Sequence, residues 1–209
     1  MEFINNNNKV TVIGEIVSDF SFSHETYGEK FYTFGVSVVR TSGYEDVIPV
    51  MISERLIDTQ QSYIGQCIRV DGQFRSYNRH EEKKNRLVLS VFARELEFVS
   101  EIPEGERSNQ IFLDGYICKP PIYRKTPLGR EIADLLIAVN RSYGKSDYIP
   151  CITWGRNARF TAGLTVGTEI QVFGRIQSRE YVKKISETEA EHRIAYEVSI
   201  SKLEVLDEK

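Results

Sequence analysis

Apolar residues fall at every second position in two stretches of the chain. They are Tyr32, Phe34, Val36 and Val38 in the first half, and Ala133, Leu135, Ile137 and Val139 in the second. That period is the signature of a strand with one buried face. A further pair follows, Ile68, Val70, Gly72 and Phe74 against Ile170, Val172, Gly174 and Ile176, each with a glycine in mid-strand. A central glycine there predicts a strand that must bend sharply, as strands do when a short sheet curls up. The polar runs NRHEEKKNR and REYVKKISETEAEHR each separate two such strands and predict long hairpin loops. Residues 56–61 and 157–162 predict one short helical connection in each half.

The two halves follow one template. Asn8, Gly14, Gly28, Arg40, Pro49 and Arg55 recur 101 positions later as Asn109, Gly115, Gly129, Arg141, Pro150 and Arg156, and Gly65 and Gly72 recur after 102 as Gly167 and Gly174. A spacing held over most of each half indicates a duplicated unit. The expected fold is therefore all-β: two tandem OB-folds, each a five-stranded Greek-key barrel with one short helix. The pattern predicts a first domain over residues 1–103, a linker at 104–108 inside SEIPEGERS, and a second domain over 109–209.

Composition narrows the function. No stretch approaches the run of about 20 apolar residues that spans a membrane, and the start MEFINNNNKV lacks the basic and apolar regions of a signal peptide. A cytoplasmic protein is expected. Cys67, Cys118 and Cys151 are odd in number and widely spaced, which argues against disulfides and zinc; His24, His80 and His192 stand alone among polar neighbours. No metal, cofactor or catalytic residue is expected. The net charge of -3 is unevenly spread: residues 1–105 hold 11 Lys+Arg against 16 Asp+Glu, leaving 16 against 14 in the remainder. The only tryptophan lies in this more basic half.

The segments NQIFLDGYI, YRKTPLGREI, AVNRSY, DYIPCITWGRNA and VFGRIQSREY resemble, in order and spacing, the motifs of the bacterial single-stranded DNA-binding proteins (SSB), over residues 108–206. The first half follows the same frame more loosely through NKVTVIGEI and VDGQFRSY. Two barrels in one chain resemble the SSB variants in which two chains supply four barrels, which implies a homodimer. The first strands, 9–16 and 110–117, are candidate pairing edges for it. The sequence ends at LEVLDEK, without the Gly/Gln-rich tail and acidic, partner-binding tip usual in that family.

A sequence-independent grip on single strands needs flat rings for bases and cations for phosphates on one face. On the strand 147–154, Ile149, Cys151 and Thr153 match Ile48, Val50 and Ile52 as the inward set, which sends Tyr148, Pro150, Ile152 and Trp154 outward. The resemblance implies that Trp154, Tyr148, Tyr143 and Tyr181 stack on bases. Arg124, Lys125, Arg141, Arg156, Arg175, Arg179, Lys183 and Lys184 lie close by in sequence and are candidate phosphate partners. In the first half, Val47, Ser53 and Ser42 stand where Tyr148, Trp154 and Tyr143 are expected, leaving Tyr77 with Arg40, Arg55, Arg75 and Arg79 as a weaker set. The first domain is thus expected to serve mainly structure and assembly, and the second to grip the strand. The expected function is a non-enzymatic binder that coats single-stranded DNA in replication, recombination or repair, with RNA left open. The alternative is an OB-fold adaptor of replication-restart type, using the same aromatic face for a protein partner. A nuclease would need clustered carboxylates beside a base, which the outer face lacks.

Overall fold

The computed structural model describes residues 6–81, 84–102, 105–184 and 190–206. The first half forms β1 (Asn8–Ile16), β2 (Ser21–Thr26), β3 (Glu29–Val39), β4 (Glu45–Ser53), β5 (Cys67–Glu81) and β6 (Lys84–Phe98). The second repeats the series as β7 (Asn109–Ile117), β8 (Ile122–Lys125), β9 (Glu131–Asn140), β10 (Ser146–Trp154), β11 (Glu169–Lys184) and β12 (Ala190–Val205), with α1 (Gly155–Thr161) after β10. Five strands close each barrel. In the first the circuit runs β1, β3, β4, β6, β5 and back to β1, with only β4 and β6 parallel. In the second it runs β7, β9, β10, β12, β11 and back to β7, with only β10 and β12 parallel. The short β2 and β8 extend the edges of β3 and β9. Both interiors are the expected alternating sets, with Val36, Val50 and Val70 in one and Ile137, Ile149 and Val172 in the other, all fully buried.

The mid-strand glycines mark bulges at Asp71/Gly72 and Phe173/Gly174. A Cβ at Gly72 would sit 2.1 Å from the Phe92 carbonyl oxygen, and one at Gly174 2.1 Å from that of Ser199, so the long strand can cross its neighbour only if that position has no side chain. Beside each bulge lies a buried asparagine. Asn8 donates Nδ2 to the Phe74 carbonyl and accepts from the Phe74 N–H, both at 2.8 Å. Asn109 repeats this with Ile176 at 2.7 and 2.9 Å. The recurring Asn therefore holds the bent strand against the first strand of its own barrel.

The two barrels join through one continuous antiparallel ladder, in which β1 pairs with β7 from Asn8↔Leu113 to Val12↔Asn109. This corrects the expectation that these first strands offer edges to another chain. β1 is bonded on its two sides by β5 and β7, and β7 by β1 and β11. Two reciprocal polar seams flank the joint. Asp46 of β4 accepts hydrogen bonds from Ser178 of β11, from N at 2.7 Å and Oγ at 2.8 Å. In the equivalent place Asp147 of β10 accepts from the Ser76 N–H of β5 at 2.8 Å, while the Tyr148 N–H donates to Ser76 Oγ at 2.7 Å.

Two further expectations are corrected. Among the described residues only the second half forms an α-helix; residues 56–61 form turns. In α1 the buried position is Ala158, and Thr161 Oγ1 bonds the Asn157 carbonyl at 2.8 Å and meets Thr153 Oγ1 at 2.9 Å. The first half has the larger Ile57 at the equivalent position. Asp58 there captures the Gln60 N–H (3.0 Å) and the Gln61 side chain (2.7 Å), a local bonding pattern that competes with the helix. The predicted long hairpin loops are also largely strand, since β5 continues to Glu81, β6 begins at Lys84, and β11 continues to Lys184. Residues 82–83 and 185–189 of those loops, and the linker position 104, lie outside the described residues. All three cysteines are free, and Cys151 is buried in the core, where burial pushes its thiol well above the usual range.

Candidate nucleic-acid interface

Strand β10 presents the aromatic face. Asp147, Ile149, Cys151 and Thr153 are buried, whereas Tyr148 and Trp154 are 45% and 38% exposed and Pro150 is half-buried. Ile152, expected beside them, is only 4% exposed. It lies between Asp134 of β9 and Ser199 of β12 in the sheet, so neighbouring strands cover the middle of the face and leave its two ends open. Trp154 sits at the end of β10, where the indole N–H donates to Ser199 Oγ at 3.3 Å. That single bond anchors one edge of the indole on β12.

Tyr143 is 99% exposed at the tip of the β9–β10 hairpin, with φ of 63°, followed by Gly144 at 68°. Two consecutive left-handed residues suit Asn-Gly or Gly-Gly, and a tyrosine in the first place costs about 1–3 kcal/mol of backbone strain. The reward is position, because the ring stands clear of the barrel. Tyr181 on β11 is 38% exposed and lies opposite Arg193.

The cations divide into two groups. Arg156, Lys125 and Lys184 are exposed, and Lys183 is half-buried on β11. Arg124 is held by Asp134 (Nε to Oδ2, 2.8 Å), and Arg179 lies 3.7 Å from Glu197. Both keep open faces, with side chains 44% and 53% exposed. The seam arginines differ. Arg40 donates Nε and Nη2 to the two oxygens of Asp46, each at 2.6 Å, and Nη2 to the Ser178 carbonyl at 2.9 Å. Arg141 reaches Asp147 only at 3.2 Å and makes no well-aligned bond there, so Arg141 Nε and Asp147 Oδ2 are buried without a hydrogen-bond partner among the described residues. The structure thus directs Arg40, and in part Arg141, inward to carboxylates. Arg175, half-buried on β11, also has a buried Nε with no such partner.

The two seam carboxylates titrate in opposite senses. Burial pushes Asp46 up, but hydrogen bonds from Arg40 and Ser178 outweigh it and hold the carboxyl below its ordinary 3.8. At Asp147 burial wins over weaker help from Ser76, Arg141 and Arg75, and the carboxyl lies above that value.

In the first barrel Val47 faces outward and is 41% exposed, and Ser53 is buried and bonded to Glu29. Arg55 is exposed near Glu29 at 3.5 Å, Tyr77 is 44% exposed, and Arg79 is exposed farther along β5. The missing tryptophan is offset by rings that sequence reasoning overlooked. Phe31 of β3 pairs with Ser53, Phe92 of β6 pairs with Met51 two positions along β4, and the two rings approach each other at 5.8 Å, in the places of Ile132 and Ser199. His24 stacks on Phe31 at 5.0 Å, and the Arg75 guanidinium lies 4.0 Å from the Phe92 ring centre. Tyr27, at φ 50° before Gly28, is a second fully exposed tip tyrosine. A signal for it was present, since Tyr-Gly occurs at both tips, in ETYGEK and RSYGKS. For Phe31 and Phe92 the signal required knowing the register across three strands. Among the described residues no group of three His, Cys, Asp or Glu side chains is placed to hold a metal, and no helix is long and apolar enough to cross a membrane.

Comparison with known proteins gives a consistent picture. The model of the single-strand binding protein family matches residues 108–206. Single-stranded DNA-binding protein B of Bacillus subtilis (strain 168) is 38% identical over 80 residues, which cover 35% of this chain and 71% of that protein. Protein A of the same strain is 38% identical over 80 residues, covering 35% of this chain and 46% of that protein. Against several such relatives the chain spans about half of their length. The wild-type single-stranded DNA binding protein from Thermus aquaticus shares the fold, with a TM-score of 0.75 at 20% identity, covering 97% of this chain and 94% of that one.

Proposed function

Because the chain belongs to the single-strand binding protein family, a family of non-enzymatic DNA-binding proteins, we propose that it coats single-stranded DNA without sequence preference during replication, recombination or repair. The observation that carries this reading is the face of β10 and its hairpin, where Trp154, Tyr148 and Tyr143 are open to solvent. Any base offers a π-face to such rings, at about 1–3 kcal/mol per stacked base, which makes the grip tolerant of sequence. Exposed Arg156, Lys125, Arg124, Arg179 and Lys184, with half-buried Lys183, surround that face and supply the phosphate contacts. Tyr181 extends the row along β11. Arg40 acts at the seam instead. Residues 109–209 form the main grip, and residues 1–103 serve assembly together with a weaker contact through Tyr77, Arg55, Arg75 and Arg79. The protein works in the cytoplasm.

Two copies associate into a four-barrel homodimer. With β1 and β7 already paired to each other, the contact uses the open face of the joined sheet. There Phe112 and Phe173 pack at 4.8 Å, Lys202 lies over the Phe173 ring, and a groove of about 380 Å³ runs between Lys9 and Arg175. Exposed aromatic pairs on a continuous sheet are characteristic of protein contacts.

Titration with oligo-dT, duplex DNA and RNA at two salt concentrations tests the function. The expected result is preference for oligo-dT over duplex, with affinity that falls steeply as salt rises. Equal binding of duplex, or binding insensitive to salt, would refute the reading and favour a protein partner for the aromatic face.

A further inference from the structure

The two seams occupy equivalent places, yet their charges have diverged. Around Asp46 the fold assembles Arg40, Gln177 and Glu197, with Gln177 Nε2 donating to Glu197 Oε1 at 3.0 Å. Glu197 is buried and lies close enough to Arg40 to raise its pKa. Strand register identifies the counterparts around Asp147. Gln177 faces Glu197 across β11 and β12, as Arg75 faces Ser90 across β5 and β6. A neutral amide and a carboxylate in one seam are therefore replaced by a guanidinium and a hydroxyl in the other. Four positions on, Ser201 corresponds to Arg94. The Asp46 carboxylate is fully bonded, whereas the Asp147 seam brings Arg75 and Arg141 to one carboxylate, with Arg94 beside Arg75.

That cluster is incomplete. Arg75 and Arg94 both donate Nη2 to the same Gln73 Oε1, at 2.9 and 3.4 Å, and both lie over the Phe92 ring, at 4.0 and 5.9 Å. Arg75 Nε and Arg141 Nε are buried with no hydrogen-bond partner among the described residues. Burial, then the like charges of Arg94 and Arg141, push the Arg75 guanidinium down to about 10. Buried donors without acceptors cost free energy, and an oxyanion is the group that would satisfy several guanidinium N–H at once. Arg94 is exposed and the Arg141 side chain is 30% exposed, so the cluster is reachable from solvent. Tyr148 adjoins it directly, being bonded through its own N–H to Ser76.

We propose that the Asp147 seam is an anion site that takes one phosphodiester of a single strand where the strand passes from the second barrel to the first. The inference rests on the single-strand reading above and deepens it. Tyr148 holds a base on the second barrel, the guanidiniums of Arg75, Arg94 and Arg141 take the next phosphate, and the strand continues over Phe92 and Phe31. The Asp46 seam, where Arg40 is tied to Asp46 and Glu197 is buried, offers no such cluster of guanidiniums. The crossing is thus one-sided, although the fold is duplicated.

The test transplants the other seam. In Arg75→Gln/Ser90→Glu the Asp147 seam receives the Gln177–Glu197 pair that this fold already accommodates, and Arg94→Ser alone alters an exposed position to its counterpart. Full-length parent and variants are titrated with dT of about 8 nucleotides, within the about 4–16 that one OB-fold covers, and with dT of about 35 nucleotides, long enough for both barrels. Arg94→Ser is expected to bind the short oligomer with an unchanged salt slope. On the long oligomer the slope of log K against log salt should fall by about 0.7 for each phosphate that the variant no longer neutralises. A parent that binds neither oligomer would refute the single-strand reading and this site with it. If the parent binds both and Arg94→Ser retains the full slope on the long oligomer, the seam site alone is wrong. A slope that drops equally on both lengths would place these arginines on the path of a single barrel and overturn the crossing.

Discussion

Replacing Asp46 by Asn separates the charge at the better-made seam from its shape. The Asn keeps Oδ1 for the Ser178 N–H and Arg40 Nη2, but it loses the carboxylate charge and the 2.6 Å bond from Arg40 Nε to Oδ2, and it turns an amide donor toward that Nε. Removing one partner of a buried ion pair costs about 3–5 kcal/mol. The Arg40 side chain is 18% exposed and keeps its bond to the Ser178 carbonyl, so the lower end, about 3 kcal/mol, is expected. At Asp147, where Oδ2 has no hydrogen-bond partner among the described residues, the same change should cost about 1 kcal/mol or less. The signs with pH also differ. Asp46 is depressed in the fold, so its stabilisation is fully present above 3.8 and fades as pH falls through its lower folded value. Asp147 is raised, so the fold binds its proton more tightly than the unfolded chain, and stability is lost as pH rises from 3.8 through the higher folded value. Urea denaturation of parent, Asp46→Asn and Asp147→Asn across pH 3 to 7 measures both. Equal costs at neutral pH, or an Asp46→Asn deficit that does not shrink in acid, would refute the seam energetics.

Gly174→Ala should destabilise the second barrel by about 1–3 kcal/mol, since its Cβ would overlap the Ser199 carbonyl; thermal unfolding checks this. Light scattering of the parent should report about twice the 24.1 kDa of one chain, and Phe173→Asp should return it to the single-chain mass. Trp154→Ala should retain the parent's unfolding curve, because the residue is outward-facing, while weakening oligo-dT binding by about 1–3 kcal/mol.

The barrels were legible because period-two alternation and a 101-residue repeat are both written directly in side-chain identity. The bend at Gly72 and Gly174 could be anticipated from glycine in mid-strand. What was not legible depended on partners distant in sequence. That Asp46 and Asp147 are buried seam carboxylates could not be read locally, because the groups that bond them, Ser178 and Ser76, lie 132 and 71 positions away. The first barrel looked bare because Ser53 stands at the tryptophan position, while its aromatic character had moved to Phe31 and Phe92 on the adjoining strands. The helix expected at 56–61 failed for a local reason, the competing bonds of Asp58, that a pattern matched to the second copy does not register.

The central claim is that the exposed face of β10 receives bases, and the only tryptophan in the chain lies on it. Its fluorescence during titration with oligo-dT is the most direct measurement. An indole anchored to Ser199 by one edge and lying under a base should lose much of its emission, with saturation at the stoichiometry found by binding. If saturating oligo-dT binds and the emission of Trp154 is unchanged, the tryptophan is not a base platform and the strand follows another path.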